Sequence, residues 1–360
     1  MVYLNIFHPL GIDFPQYFEA VKMIFSGLNP YLSLLTSPGP WNYPPSAFLF
    51  LWWLNLFPYQ IAGAIWNILS LMSLFLSIWL LKKMASSKVP YWVLVLLLTL
   101  PFFPVKHNLA SGQINGFILL FITLFFYFAN PIFLAYASAI KIIPAIGLTY
   151  FIVKKNWSGL LKFSIFLGLF LAASFFIVPW NIQKTYFFQV ASQAYPLAGK
   201  EIYYNQSLLA YLSRSFHDPT AIQLSYYLLT LLILFLTWWR GRGVTKNRLI
   251  SAVSCLLLLL PPLVWQHHYV LSIIPLILLF HENWLVVGIS YLLLSWNIKE
   301  PNLIPVQFSF LLSHQFFGIL ILWLLALWGE KFWQVMAIIW AVSIILAYLF
   351  TLLCRAHFCF

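Results

Sequence analysis

Long apolar runs, closely spaced and separated by short basic clusters, fill most of this chain and leave it few ways to fold. They lie at about 60–81, 89–105, 114–129, 131–153, 163–179, 220–239, 249–265 and 268–281, with further runs at roughly 284–297, 303–329 and 332–353. A helix needs about 20 apolar residues to cross a bilayer, so the runs predict roughly eight to eleven crossings. Charged residues are only 7% of the chain, where a soluble domain carries about 25%. Period-two alternation is absent, which sets a β-barrel aside. The expected fold is all-α, a polytopic transmembrane helical bundle.

The formal net charge is +12, but it does not point to nucleic acid. The basic residues fall into clusters between apolar runs: Lys82, Lys83 and Lys88; Lys154, Lys155 and Lys162; Arg240, Arg242, Lys246 and Arg248. Such clusters mark the cytoplasmic side of a membrane protein. Cys255, Cys354 and Cys359 give no disulfide framework. The first twelve residues lack a basic n-region and a sustained apolar core, so no signal peptide is expected. Three apolar runs separate the first basic cluster from the second. An odd number of crossings cannot return the chain to the same side. The run 131–153 is therefore expected to be a broken, re-entrant pair of half-helices, interrupted at Lys141-Ile-Ile-Pro144. Proline removes a helical hydrogen bond and clashes with the preceding turn. Non-helical backbone at membrane depth survives only against protein or a water-filled cavity, and Lys141 would point into that cavity.

Two longer polar stretches fall on the opposite, extracytoplasmic face, from Asp13 to Pro45 and from Trp180 to Arg214. Both are rich in Tyr, Trp, Asn, Gln and Pro, a composition suited to carbohydrate or a lipid headgroup, and equally to the aromatic belt of a membrane interface. Asp13 is one of two aspartates among seven acidic residues. An ionisable group beside lipid is a functional candidate by default; the alternative is a helix N-cap.

The motifs then fall in a recognisable order. Asp13-Phe-Pro-Gln-Tyr17, Ser26-Gly-Leu-Asn-Pro-Tyr31 and Asn42-Tyr-Pro-Pro45 are followed by Gly112-Gln-Ile-Asn115 and Ala139-Ile-Lys-Ile-Ile-Pro144, then by Asn205-Gln-Ser-Leu208 and Gln266-His-His-Tyr269. From about residue 11 to about residue 275 this set resembles glycosyltransferase family 87, the polyprenol-phosphate-mannose-dependent mannosyltransferases of the GT-C fold. The resemblance implies a polyprenyl-phosphate sugar donor, a glycolipid or glycan acceptor, and an aspartate in the first extracytoplasmic loop as catalytic base. Asp13 is the matching residue. It also implies a membrane helix ahead of that loop. Twelve residues reach only about 18 Å as helix, short of an apolar core of about 30 Å, so either the true start lies upstream or that helix is lost.

The chemistry is consistent with one carboxylate. A polyprenyl phosphate leaves without protonation, so an inverting transfer needs a single base that takes the acceptor hydroxyl proton. Only Glu19 lies near Asp13 and no Asp-X-Asp motif exists, so neither a metal site nor a cofactor is expected. The leaving phosphate calls for protein cations. Lys141 leads, unless it snorkels to an interface. Arg214 suits bidentate phosphate contact or serves as a topological anchor. His267 and His268 interrupt an apolar run and either donate to phosphate and sugar or are structural. Gln113 and Asn115 face sugar or backbone, or bond a neighbouring helix. Tyr43 presents its hydroxyl to the site after Pro44 and Pro45 set the chain direction. Asn205 and Gln206 contact substrate, or Asn205 caps the helix that follows.

Residues 1–285 are expected to form the catalytic module and residues 286–360 a set of C-terminal transmembrane helices. The multi-pass protein is placed in the cytoplasmic membrane with its site facing outward. The main alternative is a transporter or flippase of a lipid-linked sugar, because a broken helix with a lysine at membrane depth also suits a transport site. A catalytically silent scaffold is the third reading.

Overall fold

The computed structural model describes residues 11–32, 41–191 and 202–333. Among these the chain is helical, and the one extended pairing is an isolated antiparallel bridge between Asn205 and Trp265. The all-α membrane bundle is therefore the fold.

The first helix, α1 (Asp13–Phe25), buries Phe14, Tyr17, Phe18, Val21 and Ile24, a stripe at helical spacing. That stripe covers one end of α2 (Tyr59–Met84), where the Phe14 ring meets Tyr59 and Trp66 with centroids 5.5 and 5.6 Å apart. With 26 residues, α2 is about 39 Å long at 1.5 Å per residue. It carries Lys82 and Lys83 to the opposite end from Asp13. The chain returns through α3 (Tyr91–Thr99) and α4 (Phe103–Ser111), bent by 69° where Pro101 and Pro104 bar a continuous helix. Gly112 follows at φ 68°, a left-handed conformation that favours glycine, and turns the chain into α5 (Asn115–Phe128).

Next come α6 (Pro131–Ile140), a 3-10 stretch over Ile143–Leu148, and α7 (Thr149–Val153). The helix stops at Ile140, the residue whose carbonyl the Pro144 ring would strike. Lys141 is extended, with φ −148° and ψ 132°. The two halves fold back on each other. Leu134 lies so close to Gly147 that a Cβ there would sit 2.9 Å from its Cδ1. Tyr150 packs on Phe125 and Phe126, with centroids 5.8 and 5.5 Å apart. The two halves thus form a hairpin with Lys141 at its apex.

The rest of the bundle comprises α8 (Trp157–Ala173), α9 (Leu208–Ser215), α10 (Pro219–Gly241), α11 (Lys246–Leu259), and a 3-10 stretch over Gln266–Ser272 that leads into α12 (Ile273–Leu278). The last described helices are α13 (Trp284–Ser295) and α14 (His314–Trp328). The three basic clusters meet at one end. Asn247 Nδ2 donates to the Met84 carbonyl beside Lys82 and Lys83 at 3.0 Å. Gly241 abuts Val153, next to Lys154.

Among the described residues four helices are long and apolar enough to cross a membrane alone, or five if the bent pair counts as one span. The expectation of eight to eleven crossings counted apolar runs that prolines and 3-10 stretches divide into shorter helices. The run 332–353 and the segment preceding Gly11 fall almost wholly outside the described residues.

Candidate active site

Asp13 is the first residue of α1. Ile12 occupies the N-cap position and makes no side-chain cap bond, so the carboxylate is not spent on capping the helix. It is half-buried and lies beside the side chain of Gln113, which favours its ionised form. The Gln113 Oε1 accepts from Tyr17 Oη at 3.2 Å and from Asn115 Nδ2 at 3.3 Å. Asn115 turns its own Oδ1 to Lys141, whose Nζ donates at 2.9 Å. Asn115 thus links Gln113, beside the acid of α1, to the lysine at the Lys141 break.

Burial raises the Asp13 pKa above the ordinary carboxylate value; the neighbouring Gln113 side chain and the positive charge of Lys141 oppose the rise. Tyr17 lies one turn beyond Asp13 on the buried face of α1, and its hydroxyl also pairs with Tyr43 Oη at 2.9 Å. Tyr43 in turn lays its ring 5.6 Å from Lys141 Nζ, a cation–π distance. Tyr31 donates to the Tyr43 carbonyl at 2.9 Å, and Ser46 Oγ donates to the carbonyl of Ala139 at 2.6 Å, fastening this loop to the end of α6.

His268 completes the surroundings of Lys141. Its Nδ1 accepts from the Trp265 backbone N–H at 3.2 Å, and its Nε2 lies 2.8 Å from Lys141 Nζ. His267 points elsewhere: its ring stands at 87° to that of His268 and edge-on to His107, 5.3 Å away. Beneath Lys141 a small cavity has Asn115, Lys141 and His268 as its polar wall and Ile118, Leu257 and Leu271 as its apolar one. Among the described residues no three His, Cys, Asp or Glu side chains gather as they would to hold a metal ion.

The structure thus brings together Asp13, Tyr43, Gln113, Asn115, Lys141 and His268, with His267 adjacent. Arg214, Asn205 and Gln206 belong to a second network. Arg214 donates from Nη1 to the carbonyls of Ile202 and Asn205 at 3.3 and 3.1 Å, and from Nη2 to Ser313 Oγ at 2.7 Å. Asn205 Oδ1 accepts from the backbone N–H groups of Ser207 and Val264 at 3.2 and 3.1 Å. The cap of α9 is Ser207, which accepts from Ala210 N at 3.0 Å, and not Asn205. Sequence reasoning passed over Tyr17 and His107. Tyr17 was detectable as the i+4 neighbour of Asp13; His107 carried no signal beyond its residue type.

The chain matches glycosyltransferase family 87 over residues 41–262, a region that holds Tyr43, Gln113, Asn115 and Lys141 and leaves Asp13 and His268 outside. It is 25% identical over 261 residues to a polyprenol-phosphate-mannose-dependent alpha-(1-2)-phosphatidylinositol pentamannoside mannosyltransferase of Mycolicibacterium smegmatis, covering 70% of this chain and 62% of the relative. The Mycobacterium tuberculosis protein of the same name is 22% identical over 262 residues, covering 70% and 59%. The chain thus spans about three fifths of the length of these relatives. No solved structure matches it. With more than half its length matched by the family, this membrane-embedded chain belongs to glycosyltransferase family 87.

Proposed function

We propose that this protein transfers a hexose, mannose in the first instance, from a polyprenyl-phosphate donor to a hydroxyl of a glycolipid or glycan on the extracytoplasmic side of the cytoplasmic membrane. The observation that carries the reading is the grouping of Asp13 with Gln113 and, through Asn115, with Lys141, at the end of the bundle opposite the three basic clusters. Asp13, with its pKa raised, takes the proton of the acceptor hydroxyl as that oxygen attacks the anomeric carbon. The bond from the anomeric carbon to the phosphate oxygen breaks as the new one forms, and its electron pair leaves with the polyprenyl phosphate. Attack opposite the leaving group inverts the anomeric centre. The phosphate passes from one negative charge to two, so Lys141 binds the transition state better than the donor. His268, beside Lys141, meets the same phosphate. The relatives named above support mannose as the sugar and a phosphatidylinositol mannoside as the first acceptor to try.

The test is reconstitution in liposomes with radiolabelled polyprenyl-phosphate mannose and that acceptor. Wild type transfers label, and Asp13→Asn loses about 10²–10⁴-fold in rate, the usual share of a general base, while still binding donor. Transfer by Asp13→Asn close to wild type removes Asp13 from the role. The lysine at a membrane break also suits a flippase; intact donor crossing the bilayer with no label on the acceptor would establish that reading instead.

A further inference from the structure

We infer that His314, on α14, is a positioning residue for the donor side of the site, acting through residues 203–206. The inference rests on the reading of Lys141 and His268 as the groups that meet the donor phosphate. It also brings helices beyond residue 285 into the working apparatus.

The hydrogen bonds give His314 one polarity. Its Nδ1 lies 2.7 Å from the Leu293 carbonyl, which can only accept, so the ring proton is on Nδ1. In the neutral ring Nε2 is then an acceptor, and the Tyr203 hydroxyl donates to it at 2.9 Å. That hydroxyl accepts in turn from Ile298 N–H at 2.7 Å. Tyr203 begins the segment that Gln206 ends. The Gln206 amide nitrogen donates to the carbonyls of Tyr203 and Leu312, at 2.7 and 2.6 Å, and its Oε1 accepts from Gln315 N–H at 3.1 Å. His314 and Gln315 open α14 and Leu312 lies just before it, so the segment is held to the start of that helix at both its ends.

From there the path runs to the reacting groups. Gln206 N–H donates to the Val264 carbonyl at 2.8 Å, Gln266 N–H donates to the Tyr204 carbonyl at 3.1 Å, and Asn205 Oδ1 takes the Val264 N–H. Tyr269 Oη donates to the Gln206 carbonyl at 2.7 Å. The stretch 264–266 is thereby fixed, and with it the Trp265 N–H that orients His268 against Lys141. The side chains of His314, Tyr203, Asn205, Gln206, Tyr269 and His268 are buried. An apolar side chain of similar shape at 314 would fill the space and lose the direction.

The experiment compares four forms of the reconstituted protein. His314→Gln keeps an acceptor where Nε2 meets Tyr203. His314→Asn keeps only the donor toward Leu293, and His314→Phe keeps neither. The donor KM is expected to rise about tenfold or more in the Phe and Asn forms, as when a buried hydroxyl loses its partner. It should stay near wild type in the Gln form, and the acceptor KM should be unchanged throughout. Gln206→Met should raise the donor KM in the same way, and combined with His314→Phe should add little, because both act along one path. A folded His314→Phe protein with wild-type donor KM overturns the inference, as do equal changes in donor and acceptor KM or equal behaviour of the Gln and Asn forms. Should the Phe form not fold, the Gln–Asn contrast and Gln206→Met decide. Donor binding to Asp13→Asn with and without His314→Phe separates this inference from the proposed reaction. Active Asp13→Asn would sink the reaction scheme, whereas equal binding by the two forms would sink the positioning role alone.

Discussion

A carboxylate that must act as a base beside a membrane needs burial enough to raise its proton affinity and partners enough to keep it ionised. Asp13 has both, and its partners set the direction of two predictions. Its raised pKa places the acid limb of the pH–rate profile above the ordinary aspartate value of about 3.9. The Gln113 amide stabilises the ionised form, so Gln113→Leu should move that limb to higher pH; an unmoved limb would mean the amide does not reach the carboxylate in the working enzyme. Lys141→Met should weaken donor binding by about 2–5 kcal/mol, the order for removing one partner of a buried charge pair. Donor affinity equal to wild type would make this lysine structural. Lys141, Gln113 and Asn115 were legible because polar groups in apolar runs are costly and must be used. The same argument pointed to Arg214, Asn205 and Gln206, and there it could not choose between substrate and backbone carbonyls as the partner. His314 stood inside the run 303–329 as one polar residue among many apolar ones, and only its bonds to Tyr203 and Leu293 distinguish it.

Among the elements, the fold-back at Lys141 was readable from two independent signs: the parity of apolar runs between basic clusters, and the proline four residues after Ile140. The bend between α3 and α4 was less legible, because Pro101 and Pro104 mark an interruption without its angle, which packing decides. For the same reason fewer of the described helices than of the apolar runs are long enough to cross alone, since apolarity fixes what is buried and not how straight it runs. The fold-back itself makes a coupled prediction. In a continuous helix Leu134 and Gly147 would stand about 20 Å apart at 1.5 Å per residue, whereas here they touch. Gly147→Leu should lower the thermal stability of the detergent-solubilised protein by about 1–3 kcal/mol through overpacking. Leu134→Ala in the same chain should return most of it. Purely additive losses would mean that the two half-helices are not neighbours.

At the scale of the whole molecule, the arrangement separates charge from chemistry. Asn247 ties the third basic cluster to the first, and Gly241 ties it to the second. Asp13, Tyr43 and Lys141 occupy the other end, reached through the length of α2. If positive charge marks the cytoplasm, both flanks of the re-entrant pair lie there, and its apex opens to the opposite leaflet. Single cysteines in a background lacking the native three test this. Asn130 and Asn156 are exposed and flank the pair, and each caps a helix, so replacing either costs about 1 kcal/mol and should be tolerated. Asn130→Cys and Asn156→Cys should react with an impermeant thiol reagent only after the membrane is opened. Asn42→Cys, exposed beside Tyr43, should react in intact cells. Labelling of one flank alone from outside would mean that 131–153 crosses the membrane outright. Labelling of both flanks from outside, with Asn42→Cys protected, would turn the bundle over and place the transfer on the cytoplasmic face.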